Sequence, residues 1–412
     1  MDNITHSLMG IVLAEAALSR RHRLPDARAA VRPAYWIVSL VANNFPDLDF
    51  IPSAFLSGDL GYLLHHRGHT HTLLLGPPQA LLSLLLLLGI PSVRRVLRDP
   101  MDRWVVAVLA LLGPWAHVGL DALNSYGVHP FWPIDNRWYY GDTLFILEPW
   151  LWLALGPAAV LAPLPFSIRV AFGLPVVGIL VLAWTSGYLP HWLATVLTLF
   201  GTGFFALSRR MTDSLRPLWG IAAAVAVIGL FAGVGSRARI MARAEGVVAG
   251  ARLDDLVMSP MPANPFCWVA LFIESPPGAG SYALRRAMLA PFPFWLTAAG
   301  CPKMRLGPGT APLGRISLPD SPTIAWLGEY TGDKEALRTL HRERCGVAPI
   351  FQFARAPFVA EIGPSLVVGD LRYDFSTGSD FAERTIAARP SRPEACLTGL
   401  PPWIPPRQDW LR

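Results

Sequence analysis

A chain of 412 residues is longer than one simple core requires, and two domains are the natural reading. Hydrophobic residues make up 52% and charged residues 16% with mean hydropathy +0.38, which excludes a wholly soluble protein, where about a quarter of residues are charged. The net charge of +6 does not point to nucleic acid, because the arginines cluster between apolar runs and no basic stripe with interleaved aromatics occurs.

In chain order, the opening MDNITHSL lacks the basic start of a secretory signal and carries Asp2. Eight apolar segments follow, at 4–19, 34–51, 72–90, 104–124, 144–162, 168–187, 190–207 and 217–235. The third and eighth come closest to the ~20 residues of a spanning helix. The first is short and holds Glu15, which suits a re-entrant or interfacial placement. Pro77, Pro78, Pro114 and Pro175 should kink or interrupt their helices. Beyond residue 235, short β-branched and aromatic runs such as FCWVALFIES and SLVVGDLRYDF are divided by Pro and Gly, with one helix expected at 333–344. The stretch from 389 to 410 is Pro-rich and should be extended. The expected fold is mainly α: a polytopic helical membrane domain of about eight segments over 1–235, then a soluble, β-rich α+β domain over 236–412.

Basic residues in short loops set orientation. Arg20, Arg21, Arg23, Arg28 and Arg32, then Arg94, Arg95, Arg98 and Arg103, then Arg169, then Arg209, Arg210 and Arg216 fall on one side; only Arg67 and Arg137 fall on the other. The first side should be cytoplasmic, which places both termini and the second domain outside. Cys267, Cys301, Cys345 and Cys396 all lie in that second domain, where an exported location permits disulfides and at least one is expected, with the pairing open.

The same topology gathers the ionisable groups of the apolar region at the outer face: His6; Asp47 and Asp49; His65, His66, His69 and His71; His117 and Asp121; and Asp142. Each alone could be a helix cap or a solvated side chain, as Asp2, Asp47 and Asp142 illustrate. The whole set beside a bilayer indicates function. His117 and Asp121, four apart, share one helix face and can chelate one ion; His65 and His69 have the same spacing across Gly68. Imidazole with carboxylate suits a divalent metal, zinc foremost, with manganese or iron(II) also matched, and one or two ions. The expected ligands are His6, Asp47, His69, His117 and Asp121. Asp49, His65, His71 and Asp142 are expected in catalytic, second-metal or orienting roles. His22, His129, His191 and His341 read as structural or exposed. The Trp- and Tyr-rich segment 124–150 is an aromatic belt or a lid that could accept a lipid or sugar, and Arg137 within it could meet an anionic group of a substrate or a lipid phosphate.

The ordered motifs MDxxTHxLxG at 1–10, PDLD at 46–49, HHRGxTH at 65–71, HxxLDxxNSYG at 117–127 and WYYGD at 138–142 resemble the membrane-bound metal-dependent hydrolases, the YdjM-type, LexA-regulated bacterial inner-membrane proteins. The resemblance covers about residues 1–150. The tail looks like the extra domain of longer members. A looser similarity, in ligand type and spacing alone, is to zinc-dependent phospholipase C and related nucleases. The family resemblance implies a multi-pass inner-membrane metal-dependent hydrolase without specifying its reaction, and the looser similarity points to a phosphoester or lipid-linked substrate, with membrane lipids as surroundings and, from the charge pattern, no nucleic-acid partner. The alternatives are a transporter or metal-handling protein using the same residues, and a non-enzymatic envelope stress-response protein.

Overall fold

A computed structural model describes residues 1–22, 24–163, 165–278, 280–302, 312–374, 381–388 and 396–412. Arg23 of the loop arginines, Phe375 of the LRYDF run and 389–395 of the Pro-rich stretch lie outside the described residues.

Helix α1 (Asn3–Arg21) starts on Asp2, whose carboxylate accepts from the backbone N–H of Ile4 and Thr5, so the capping reading of that residue holds. Helix α2 (Pro25–Asn44) runs back along it. A Cβ added to Gly10 would come within 2.9 Å of the Ser39 carbonyl, so glycine is what permits this approach. Glu15 of α1 is not exposed to lipid: Arg32 donates to it at 2.7 and 3.3 Å, and the Trp36 indole N–H at 2.7 Å, all buried. A buried carboxylate needs such partners. Short helices α3 (Phe50–Ser53) and α4 (Gly61–His65) lead to α5 (Gly76–Leu87), α6 (Pro91–Val96) and α7 (Pro100–Asp121). Then come α8 (Pro149–Val160), α9 (Phe166–Thr185), α10 (His191–Arg210) and α11 (Arg216–Glu245).

Among the described residues four helices are long and apolar enough to cross a membrane, namely α7, α9, α10 and α11. This is fewer than the eight segments expected. The run 72–90 is helical only over α5, because Pro77 and Pro78 fix its start and Pro91 begins a new helix. The run 144–162 forms only the 12-residue α8, and α1 and α2 carry the charges just described. Helix α9 leaves Leu174, Val177, Val181 and Leu182 exposed, a face that suits lipid better than water.

Helix α11 runs past residue 235 into the second part of the chain. There β1 (Arg252–Met261), β2 (Asn264–Ser275), β3 (Ser281–Leu289) and β4 (Ile324–Asp333) form an antiparallel sheet in that order. Helix α12 (Lys334–Glu343) is capped by Asp333. A second antiparallel sheet follows, of β5 (Pro357–Ile362), β6 (Ser365–Asp370) and β7 (Glu383–Ala387), and a last turn α13 (Gln408–Leu411). Cys267 pairs with Cys301 and Cys345 with Cys396, so all four cysteines are bridged.

The two parts are joined by specific bonds. The Trp150 indole donates to the Ala263 carbonyl at 3.0 Å, Trp138 to Gln352 at 2.7 Å, and Arg372 to Ser125 at 2.6 Å. The C-terminal stretch crosses the 124–140 loop: the Trp403 indole donates to the Leu64 carbonyl at 2.7 Å, and the Trp403 ring stacks on His129 with centroids 3.7 Å apart. Burial pushes His129 from its ordinary 6.5 down to about 3, opposed by its bond to the Arg67 carbonyl. Between these values the unfolded chain binds a proton that the folded one does not. The stability this contact gives is therefore full above about pH 6.5 and lost as pH falls toward 3. The thermal midpoint of the purified protein should drop from pH 7.5 to pH 4, and H129F, which keeps a ring on Trp403, should show a shallower slope; an unchanged slope would contradict the assignment.

Candidate metal centre

The site is assembled where α1 begins and where α2 and α7 end. Helix α2 stops before Pro46, and the chain turns through a tight 3-10 segment, Pro46–Asp49, that carries Asp47 and Asp49. Helix α7 presents His117 and Asp121 one turn apart at its last residues. It lies close on α2 because residue 113 is glycine; a Cβ there would come within 2.5 Å of the Ala42 Cβ. That approach sets the Asn43 carbonyl 2.6 Å from His117 Nδ1. The HHRGHTH loop turns sharply, with Arg67 at φ +60° and the His71 N–H donating to the Gly68 carbonyl, and delivers His71 from the other side.

Asp47, His71, His117 and Asp121 each offer one ligand atom, and these four atoms lie within 4.8 Å of one another. His71 Nε2 is 3.0 Å from His117 Nε2, 3.1 Å from Asp121 Oδ2 and 3.5 Å from Asp47 Oδ1. His117 Nε2 is 3.3 Å from Asp47 Oδ1 and 3.5 Å from Asp121 Oδ2. The opposite ring nitrogens are engaged elsewhere. His117 Nδ1 donates to the Asn43 carbonyl, and His71 Nδ1 lies 3.3 Å from Asp49 Oδ2. In the neutral imidazoles both Nε2 atoms therefore carry lone pairs, facing each other and two carboxylates. In that tautomer four acceptors converge, a donor set that could hold a divalent cation with its histidines oriented by an outer shell. Only Asp47 is not deeply buried, its side chain 15% exposed against 0–1% for the other three, so the centre opens on that side.

The surroundings of Asp121 are cationic. Arg67, fully buried, reaches its Oδ1 at 3.2 Å and donates to Asn124 Oδ1 at 2.9 Å, while the Met1 ammonium also contacts Oδ1. His6 stacks on His117 at 3.7 Å between centroids, with its Nε2 3.3 Å from Asp121 Oδ1, so it borders the group as a further ligand candidate.

The remaining expected site residues fall in other places. Asp49 accepts from the Arg67 N–H at 3.0 Å, from Thr70 Oγ1 at 2.8 Å and from His66 Nδ1 at 2.9 Å, which places it behind His71 in an orienting role. His65 is hydrogen-bonded to Ser57 at 2.9 Å. His69, expected as a ligand, packs between Trp132 and Trp403, each 4.7 Å away. Histidines at 65 and 69 would share a helix face only if the helix continued, and α4 ends at His65. Asp142 faces Arg355 in a bidentate pair at 2.9 and 3.0 Å and belongs to the junction between the two parts. Three contributors had not been assigned roles. His66 is the third member of a group with Asp47 and Asp49 whose ligand atoms also lie within 4.8 Å, and burial holds it below its ordinary value despite Asp49. Arg67, read only as a topology marker, had a signal in its place among four histidines. The Asn43 carbonyl has none, being backbone.

A helical chain with lipid-compatible helices and a buried His/Asp group at the end of one of them defines the class: a membrane protein with a group that could hold a metal ion. Residues 1–185 match the family model described as YdjM inner membrane protein. No curated protein and no solved structure matches the chain.

Removing a ligand and removing an orienting group should differ in degree. D121N should abolish zinc retention through dialysis, whereas D49A should weaken zinc affinity by roughly 10–100-fold with binding still measurable. Competition against a chromogenic chelator reads both. Equal loss in the two variants would make Asp49 a ligand.

Proposed function

We propose that this protein is an integral membrane metal-dependent hydrolase, with zinc as the ion and a phosphoester or lipid-linked molecule as substrate. The observation that carries the reading is the convergence of Asp47, His71, His117 and Asp121 with both imidazoles anchored through Nδ1. A bound divalent ion supplies Lewis acidity and lowers the pKa of a water toward ~7. Asp47, His71, His117 and Asp121 hold it, with His6 alongside. Asp47, the exposed member, lies where substrate and water enter. Arg67 fixes Asp121 and brings a buried positive charge beside the centre, which favours an anionic substrate group. His66, oriented by Asp49 and covered by the Tyr62 ring at 4.5 Å, is the group placed to accept a proton. A second ion held by Asp47, Asp49 and His66, with Asp47 shared, is a second reading that the proximity of those atoms favours.

The clustering of ligands at the helix ends argues for catalysis over transport, since a permeation path would distribute them along the spans. Two disulfides in the second part agree with its export, and the arginine distribution agrees with an outward-facing site.

Purified protein should hydrolyse a chromogenic phosphodiester, lose that activity to a chelator and regain it with zinc, and D121N should be inactive throughout. Full-occupancy wild-type protein inert toward phosphodiesters, phosphomonoesters and carboxylic esters would remove the hydrolase reading. Orientation has its own measurement: alkaline phosphatase fused after residue 250 should be active, which requires an extracytoplasmic location, and a cytoplasm-active reporter at the same point should be silent.

A further inference from the structure

Helix α11 carries no charged residue between Arg216 and Arg237, an interval that matches the ~20 residues a spanning helix needs. Arg237 therefore marks the level at which α11 leaves lipid and enters the second part of the chain. At that level a turn of the second part, Pro291–Leu296 between β3 and β4, meets the helical part. Arg237 Nε donates to the Pro291 carbonyl at 2.8 Å, and its guanidinium lies 4.8 Å from the centre of the Phe292 ring. On the other flank, Phe266 of β2 packs on Phe292 and Trp295, with ring centroids 6.1 and 5.2 Å apart, and on Trp192 at 5.4 Å. Trp192 lies in the first turn of α10. The turn is thus held between the ends of two candidate membrane spans.

What the turn presents outward is apolar. Phe294 at its tip is 94% exposed and Trp295 beside it 60%. The pair continues a surface that already suits lipid. Trp192, Val196 and Leu199 of α10, spaced to share one helix face, are exposed, and so is Trp184 in the last turn of α9, whose indole donates to Thr198 of α10 at 3.1 Å. Tryptophans gathered at the ends of spanning helices sit at the height of the lipid headgroups. The turn is also pre-formed. The N–H groups of Trp295 and Leu296 both donate to the Phe292 carbonyl, at 3.0 and 3.2 Å. Those of Ala290 and Ala298 donate to Thr323 and Pro322 at 2.9 Å each, and the Cys267–Cys301 bridge ties the segment to β2. Insertion would therefore cost little ordering entropy.

We propose that Pro291–Leu296 is a membrane-docking turn, with Phe294 and Trp295 inserted about 5–10 Å into the headgroup and acyl boundary of the leaflet beside α10. The second part is then attached to the bilayer at two points, through α11 and through this turn, which fixes its tilt over the helical part. The proposal stands apart from the metal centre and from the reaction.

The test uses the full chain reconstituted in phosphatidylcholine vesicles. All four cysteines are bridged, so F294C supplies a single free thiol for an environment-sensitive dye. A nitroxide near the top of the lipid acyl chains should quench the dye more than a nitroxide at the chain ends, and both more than iodide present on both sides of the membrane. Adding W295D should shift the dye toward water, with a gain in quenching by iodide and a loss of quenching by the shallow nitroxide. The same dye on W295C repeats the first measurement should F294C fail to fold. Quenching chiefly by iodide overturns the proposal. Shielding from nitroxide and iodide alike also overturns it, since a second copy or another protein would then cover the turn, as does an unchanged balance of quenching in the W295D background.

Discussion

Two imidazole nitrogens lie 3.0 Å apart, and when each ring carries its proton on Nδ1, toward the Asn43 carbonyl and Asp49, they cannot hydrogen-bond to each other. With two carboxylate oxygens added within 3.5 Å, a cation at the centre would relieve their mutual repulsion, as the Met1 ammonium and Arg67 already do at Asp121. This constraint explains much of the surrounding structure. Gly113 lets α7 approach α2 closely enough for a backbone carbonyl to orient His117. Asp49, with its bonds from Arg67 N–H, Thr70 and His66, is held so that it can do the same for His71. The precision lies in the supports more than in the ligands, as is usual for metal sites.

The membrane setting sets a second constraint, since charge inside the helical layer must be neutralised where it sits. Glu15 pairs with Arg32 and Trp36. Near the far ends of α1 and α7, Asp102 meets Arg21 at 2.8 Å, His22 at 2.9 Å and the Tyr35 hydroxyl at 3.0 Å. The helical unit thus has a polar network at one end and the His/Asp cluster at the other, with apolar packing between. That polarity is consistent with a site served from one membrane face.

The site was legible in part because helices impose spacing. His117 and Asp121 could be paired from their separation, and Asp47 and His6 from their places at helix ends. The histidine loop was not legible, because no periodicity governs a turn. Arg67 at φ +60° reverses the chain so that His71, not His69, points into the centre. The count of eight segments was not confirmed for a related reason: hydropathy sees apolar length, whereas proline positions and a buried Glu15–Arg32 pair decide which runs become single long helices. In the second part, the runs FCWVALFIES and SLVVGD marked β2 and β6 but carried no information on which loops would face the helical layer.

Asp142 shows how the two parts depend on each other. Its sequence context suggested a catalytic carboxylate, and in the fold it is buried between Arg239 of α11 at 3.4 Å and Arg355 from the second part, which Asp255 also grips at 2.7 Å. Asp255 is held at about 2, against the upward push of burial, chiefly by that guanidinium. Removing one member of such a buried pair typically costs about 3–5 kcal/mol, because the remaining charge is left in a poorly solvated place. The second part therefore does not hang from α11 as a separable appendage. Its arginine neutralises a charge of the helical part, and its Trp403 closes over His129. The candidate metal group, whose partly exposed member is Asp47, thus adjoins a junction to which the second part contributes Arg355 beside Asp142 and Trp403 over His129.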